Sequence, residues 1–386
     1  MPAPVVVRER YWLHILLFLS TLATTTFAGV QLVGREVLYA QLGVPAMLLD
    51  GLLYSVPLLF FLTVHEFGHY FAARYHNVSV TLPYYVPSPL FFVPMNIGTF
   101  GAIIRIRHAI PSLRKLFDIG VAGPVAGFVA SLMVLGIGIV TMPGWEYLMD
   151  LGGHESLKAE LLRNNGVFPE APASNEFPVY IGQTPLFWLL TQFVDGMPPM
   201  YELYHYPILF AGWLGLFFTA LNLLPVGQLD GGHVLYALVG PKWHGRIARG
   251  FVLMLLLSAT IEFVSSLAPY FGLQMAYGEP LSWVVLVAIL FTFGYRMFNR
   301  NVMMAAYAVL GLLVLSLVAT AIGPAATQYG HSGWFLWCVL IVWFIRIDHP
   351  PVMLSEPLTP GRRALAIACL IVFFLCFSIR PIYVAG

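Results

Sequence analysis

Apolar residues fall along this chain in blocks too long and too continuous for half-buried strands or for the one-sided stripe of a soluble helix. Blocks near membrane-spanning length occupy residues 11–33, 44–73, 117–142, 205–224, 247–268, 281–298, 302–322, 333–346 and 364–380. Crossing the hydrocarbon core takes roughly 20 apolar residues in a helix. The pattern therefore predicts an all-α polytopic membrane protein with about nine transmembrane helices. The first block, Tyr11 to Val33, is long enough to span and lacks a following small-residue cleavage site, so it reads as a retained helix rather than a signal peptide.

Two segments break the pattern. Residues 80–107 carry Pro83, Pro87, Pro89 and Pro94 and then alternate as GAIIRIR from Gly101. Prolines at that density forbid a regular helix, and the alternation predicts a short strand or hairpin. Non-helical backbone at membrane depth is tolerated against protein or a wet cavity, so a re-entrant, β-hairpin-like element lining a site is expected near 80–107. Residues 143–204 form the longest polar stretch, acidic through residues such as Glu146, Asp150, Glu160 and Glu202. They predict an extracytoplasmic loop with one or two short surface helices. Three parts follow: a first helix and loop (1–43), a membrane core (44–240) and additional C-terminal helices (241–386).

Composition sharpens this. The 386 residues are 59% hydrophobic and only 10% charged, against about 25% charged in soluble domains. That excludes a soluble enzyme and a disordered chain, and a net charge of +1 gives no footprint for nucleic acid. With the N-terminus cytoplasmic, Arg35, Lys158, Arg163 and Arg380 fall outside and the other 15 of the 19 Lys and Arg fall inside. This is the bias expected of short cytoplasmic loops. Cys338, Cys369 and Cys376 lie in apolar runs without a CxxC pair and read as packing residues.

The candidate chemistry sits at the end of the second block, in LTVHEFGHYF. Residues four apart share a helix face, so His65 and His69 can bind one metal ion, with Glu66 beside them to take a proton from an attacking water. Three ionisable groups inside a membrane helix are costly unless they serve a function. A third ligand is needed, and the best candidate is Asp230 in NLLPVGQLDGG, where Asn222 and Pro225 end the fourth block. Alone, Asp230 also fits an ordinary N-cap. His233 lies three residues further on, a spacing that reaches a metal or a substrate. Glu262, inside the fifth block, needs a partner. His154, His205, His244, His331 and His349 read as interface histidines. Gly120, Gly123 and Gly127 read as a small-residue stripe for helix packing.

HEFGH at 65–69 followed by NLLPVGQLDG at 222–231 resembles the two signatures of site-2 proteases, the zinc intramembrane metalloproteases. FDIGVAGPVAGF at 117–128 is similar to the helix between those motifs. The loop at 143–204 is too short for the PDZ domain of many bacterial members, so the chain looks like the PDZ-less branch, which includes plastid relatives. DHPPV at 348–352 also resembles some of that branch, although it reads chemically as a proline-rich turn. The resemblance implies one zinc per chain on His65, His69 and Asp230, Glu66 as general base, and Asn222 stabilising the oxyanion. It also implies cleavage of membrane-protein substrates in or near their transmembrane segments. The edge of the 80–107 element suits strand addition by an unwound substrate. Without an evident transit peptide, a bacterial inner membrane is the expected location, with the site towards the cytoplasm. The chain specifies no oligomeric state. A metal-ion permease is disfavoured because neither motif repeats in the C-terminal half, and an inactive scaffold because all four expected site positions are filled.

Overall fold

The computed structural model describes residues 9–90, 95–108, 110–170, 179–267 and 278–384. Helix α1 (Tyr11–Val33) ends at Gly34, whose φ of 66° closes the helix in the left-handed region. A short α2 (Glu36–Leu42) leads into the long α3 (Val44–Tyr75). Small residues bring α1 and α3 together: a Cβ at Gly29 would sit 2.8 Å from Tyr54, and one at Gly51 would meet the Thr26 side chain at 2.7 Å. The Thr26 and Ser55 hydroxyls hydrogen-bond across this contact at 2.9 Å, the kind of polar link that joins helices where apolar surface does not discriminate between lipid and protein.

The proline-rich segment folds as expected into a hairpin, β1 (Tyr84–Pro87) paired antiparallel with β2 (Thr99–Ile103), with a bulge between Tyr85 and Pro87. Beyond it, α4 (Leu113–Val140) packs along α3, and α7 (Pro207–Asn222) inserts between them. The polar segment between α4 and α7 holds α5 (Glu155–Arg163), β3 (Val179–Ile181) and α6 (Pro185–Thr191). The two helices match the expected surface pieces. The strand was not foreseen, because its partner β4 (Ile382–Val384) lies some two hundred residues away at the C-terminal end. Leu148, Leu151, Leu157, Leu161 and Phe187 give this lobe a buried base. Arg35 anchors it, reaching Asp150 at 2.8 Å and Asp50 at 3.3 Å while lying over the Tyr147 ring.

Helix α8 (Asp230–Glu262) runs through a kink at Gly240, where φ is 78° and Pro241 follows. It is flanked by α9 (Gly278–Met297), α10 (Val302–Ile322), α12 (Trp334–Val339, after the four-residue α11, Pro324–Thr327) and α13 (Pro360–Cys376). At the end of α8, Glu262 finds the partner it needs: its carboxylate accepts from the Ser332 backbone N–H and faces Arg380 at 4.0 Å.

Nine crossings were expected; among the described residues, five helices are long and apolar enough to cross a bilayer, namely Tyr11–Val33, Val44–Tyr75, Leu113–Val140, Asp230–Ser265 and Val302–Ile322. The fifth expected block is the second half of α8 rather than a separate helix. The blocks at 205–224, 281–298 and 333–346 become the shorter Pro207–Asn222, Leu281–Met297 and Trp334–Ile345, and the last becomes the 17-residue α13. Helix α7 shows the reason for one shortfall. From Leu209 to Leu216 every residue is buried, so α7 is surrounded by protein and its apolar length need not match the bilayer. Long exposed apolar faces on the outer helices, such as Trp12, Ile15, Leu16 and Leu19 on α1, belong to a membrane protein.

Candidate metal centre

The last three turns of α3 carry His65, Glu66 and His69, all buried. His69 Nδ1 donates to the Ile119 carbonyl of α4 at 2.7 Å, which turns Nε2 inward. There it lies 3.2 Å from His65 Nε2 and 3.2 Å from Asp230 Oδ2, and His65 Nε2 lies 3.5 Å from the same oxygen. Asp230 is the first residue of α8, with Leu229 in the N-cap position. Its carboxylate thus points at the imidazoles, and the ordinary N-cap alternative is excluded.

The triangle can be tested against zinc. Bonds of about 2.0–2.1 Å in tetrahedral geometry set ligand atoms about 3.3 Å apart, close to the three edges observed. Three lone-pair donors aimed at one point repel unless a cation or protons sit between them. The residues therefore fit a zinc ion, and the Ile119 carbonyl supplies the outer hydrogen bond that metal-bound imidazoles usually have. His65 Nδ1 has no such partner.

Asn222, the last residue of α7, brings Nδ2 within 3.3 Å of His65 Nε2. A cavity of about 240 Å³ opens over these residues, bounded by Glu66, Asn222, His233 and the hairpin residues Ala102, Ile103, Ile104 and Ile106. The backbone N–H of Ile104 faces the Glu66 carboxyl. Arg105 and Arg107 use their N–H groups on Thr81 Oγ1 and the Ser79 carbonyl, so by strand alternation the N–H groups of Ile104 and Ile106 point to the cavity side.

Close approach builds the rest. A Cβ at Gly123 would fall inside the His69 imidazole, one at Gly127 would meet His65 Nδ1 at 2.9 Å, and one at Gly120 would meet His233 Cβ at 2.9 Å. The glycine stripe read from sequence as helix packing is thus the surface against which the imidazoles lie. Gly231 and Gly232 let α8 close onto the turn after α7, whose Leu223 and Val226 carbonyls occupy the space of their missing side chains.

Two further histidines lie beside the centre. His233 lines the cavity, and its Nδ1 lies 2.7 Å from His349 Nε2. His349 also stacks on Tyr236, and its neighbour Asp348 pairs with Arg249 at 2.6 Å. DHPPV is a non-helical turn as expected, but it is clamped beside the candidate site rather than hanging free. Its similarity to the PDZ-less branch was the signal that pointed there.

Residues 53–264, more than half of the chain, match the family model of peptidase family M50. Among curated proteins, "Probable zinc metalloprotease EGY1, chloroplastic" of Oryza sativa subsp. japonica is 30% identical over 178 residues, covering 46% of this chain and 26% of that protein. "Probable zinc metalloprotease EGY2, chloroplastic" of Oryza sativa subsp. indica is 29% identical over 238 residues, 61% of this chain and 38% of that protein. The Arabidopsis thaliana protein of the same description is 27% identical over 219 residues, 57% and 34% respectively. The chain spans between 26% and 38% of the length of these relatives. All three are chloroplastic by name, so the expected bacterial inner membrane finds no support in them. No solved structure matches the chain. The matched region runs from the middle of α3 through α8 and contains both motifs, and on that match the chain belongs to peptidase family M50.

Proposed function

We infer that the chain is a zinc-dependent endopeptidase that cuts membrane proteins in or near their transmembrane segments. One observation carries this reading: the ligand atoms of His65, His69 and Asp230 converge beside the buried Glu66 carboxyl, under a cavity walled by a strand edge. In this reading the chain crosses the membrane nine times from a cytoplasmic N-terminus, with the site at the cytoplasmic end of α3.

His65, His69 and Asp230 hold the metal through Nε2, Nε2 and Oδ2. Bound there, zinc supplies the Lewis acidity by which such sites acidify water and polarise carbonyls. Glu66 accepts the proton of the water that attacks the scissile peptide carbon, then delivers it to the leaving amine nitrogen. Asn222 Nδ2 donates to the substrate carbonyl oxygen as it gains charge. A helical substrate hides its peptide groups, so the segment must be unwound. The outward N–H of Ile106 then holds it as an added strand, beside Ile104, whose own N–H faces the base.

Metal removal tests the core of the proposal. Stripping the purified chain with a chelator is expected to abolish cleavage of single-span membrane peptides, and one equivalent of zinc at the centre is expected to restore it. Cleavage that persists in the metal-free chain would sink the reading. The strand-addition step has its own test. Ile106→Pro removes one cavity-side N–H while sparing the ladder N–H groups of Arg105 and Arg107. Losing one net hydrogen bond predicts a fall in kcat/KM of about 3- to 10-fold, with bound zinc unchanged. Unaltered kcat/KM would remove the edge from substrate binding.

A further inference from the structure

The polar lobe between α4 and α7 contains a second convergence of metal-ligating groups. His205 sits in the turn just before α7 and is 5% exposed, and Glu202 is 2% exposed. His205 Nδ1 donates to the Val33 carbonyl at the end of α1, at 2.9 Å. Its Nε2 is therefore the lone-pair nitrogen, and it is buried without a hydrogen bond. That atom points at Glu202 Oε2 from 3.8 Å, while His154 Nε2 faces Glu202 Oε1 from 4.0 Å. Taking one atom from each residue, all three lie within 4.8 Å of one another.

These separations are too long for hydrogen bonds and close to the spacing of atoms that share an ion: zinc ligands in tetrahedral to trigonal arrangement stand about 3.3–3.6 Å apart. The remaining gaps close by small rotations of the His154 and Glu202 side chains, the first 24% exposed and the second 3%. Two imidazoles with one carboxylate favour a borderline transition cation over calcium or magnesium, which take oxygen ligands.

We propose that His154, Glu202 and His205 form a second zinc site, with a fourth position open to water. Helix α7 is 16 residues long and separates the two centres, beginning beside His205 and ending at Asn222, a rise of about 24 Å. The second ion joins the start of α5, the turn before α7 and, through the Val33 carbonyl, the end of α1. It therefore holds the polar lobe on the end of the bundle opposite the proteolytic centre, and it does not depend on the proteolytic reading.

The test is zinc stoichiometry by elemental analysis of the full chain, stripped, reloaded with zinc chloride and dialysed. Wild type is expected to retain two zinc ions per chain and His154→Ala one. A His65→Ala/His69→Ala chain is expected to keep one ion, with two imidazoles in its zinc-edge absorption spectrum, and to lose it when His154→Ala is added. Should that double variant not fold, wild type against His154→Ala decides alone. Equal zinc in those two chains, whether one or two ions, overturns the site and leaves an ordered water or nothing between the three groups.

Discussion

Replacing Glu66 with Gln is expected to remove proteolysis while leaving zinc in place. The substitution keeps the size and most of the hydrogen-bonding surface of the side chain, but an amide cannot accept the proton of the attacking water or return it to the amine. General acid–base groups contribute about 10²–10⁴-fold, and Glu66 serves both transfers, so the fall in kcat belongs at or beyond the upper end of that range. Zinc content is the control, because the three ligand atoms come from His65, His69 and Asp230. Equal zinc in both proteins with cleavage in wild type alone is the expected result. Comparable cleavage by Glu66→Gln would assign the base to another residue.

The second large effect is expected from a residue with no side chain. Gly123→Ala puts a methyl group where the His69 imidazole lies. The ring cannot step aside without losing its bond to the Ile119 carbonyl and its place in the ligand triangle, so either it rotates out or α3 and α4 part. Overpacking of this kind costs about 1–3 kcal/mol, and disturbing the support of a ligand typically lowers metal affinity about 10- to 100-fold. The variant should fold less stably, bind zinc more weakly by that factor in a competition titration, and cleave poorly until zinc is raised. Gly136→Ala on the same helix is the matched control, since its added Cβ meets nothing within 4 Å beyond its own stretch of helix. Wild-type zinc affinity in Gly123→Ala would show that His69 does not need the close approach.

The legible parts of this protein are local. His65, Glu66 and His69 announce themselves because their chemistry is written at helical spacing, and Asp230 because a proline-broken helix end precedes it. The 80–107 hairpin was readable from prolines followed by alternation. Convergence between distant segments was not. His349 reaches His233 across 116 positions, and His154, Glu202 and His205 come from a loop and a turn with no shared period. The glycine stripe could be read as packing, but which atoms it packs against depends on the rotation of α4 about its own axis, and composition does not encode that. Helix lengths were harder to read for a related reason. Apolar blocks mark burial, and α7 is buried by protein on all sides, so its hydrophobicity did not measure bilayer thickness.

The strap around DHPPV bears on how far the protein can be divided. The family match ends at residue 264, which invites treating the remainder as an appendage. Yet Leu113 donates its N–H to Leu354 and Leu354 returns one to Pro111, Arg114 bonds the Pro357 carbonyl, and Arg362 grips Asp118 through two bonds of 2.7 Å. The start of α4, less than two turns from the carbonyl that orients His69, is thus held by residues made more than two hundred positions later. A fragment cut at the family boundary retains every motif residue and loses these ties. A fragment ending at residue 264 is therefore expected to hold zinc more weakly than the whole chain, through loss of support for α4 rather than of any ligand.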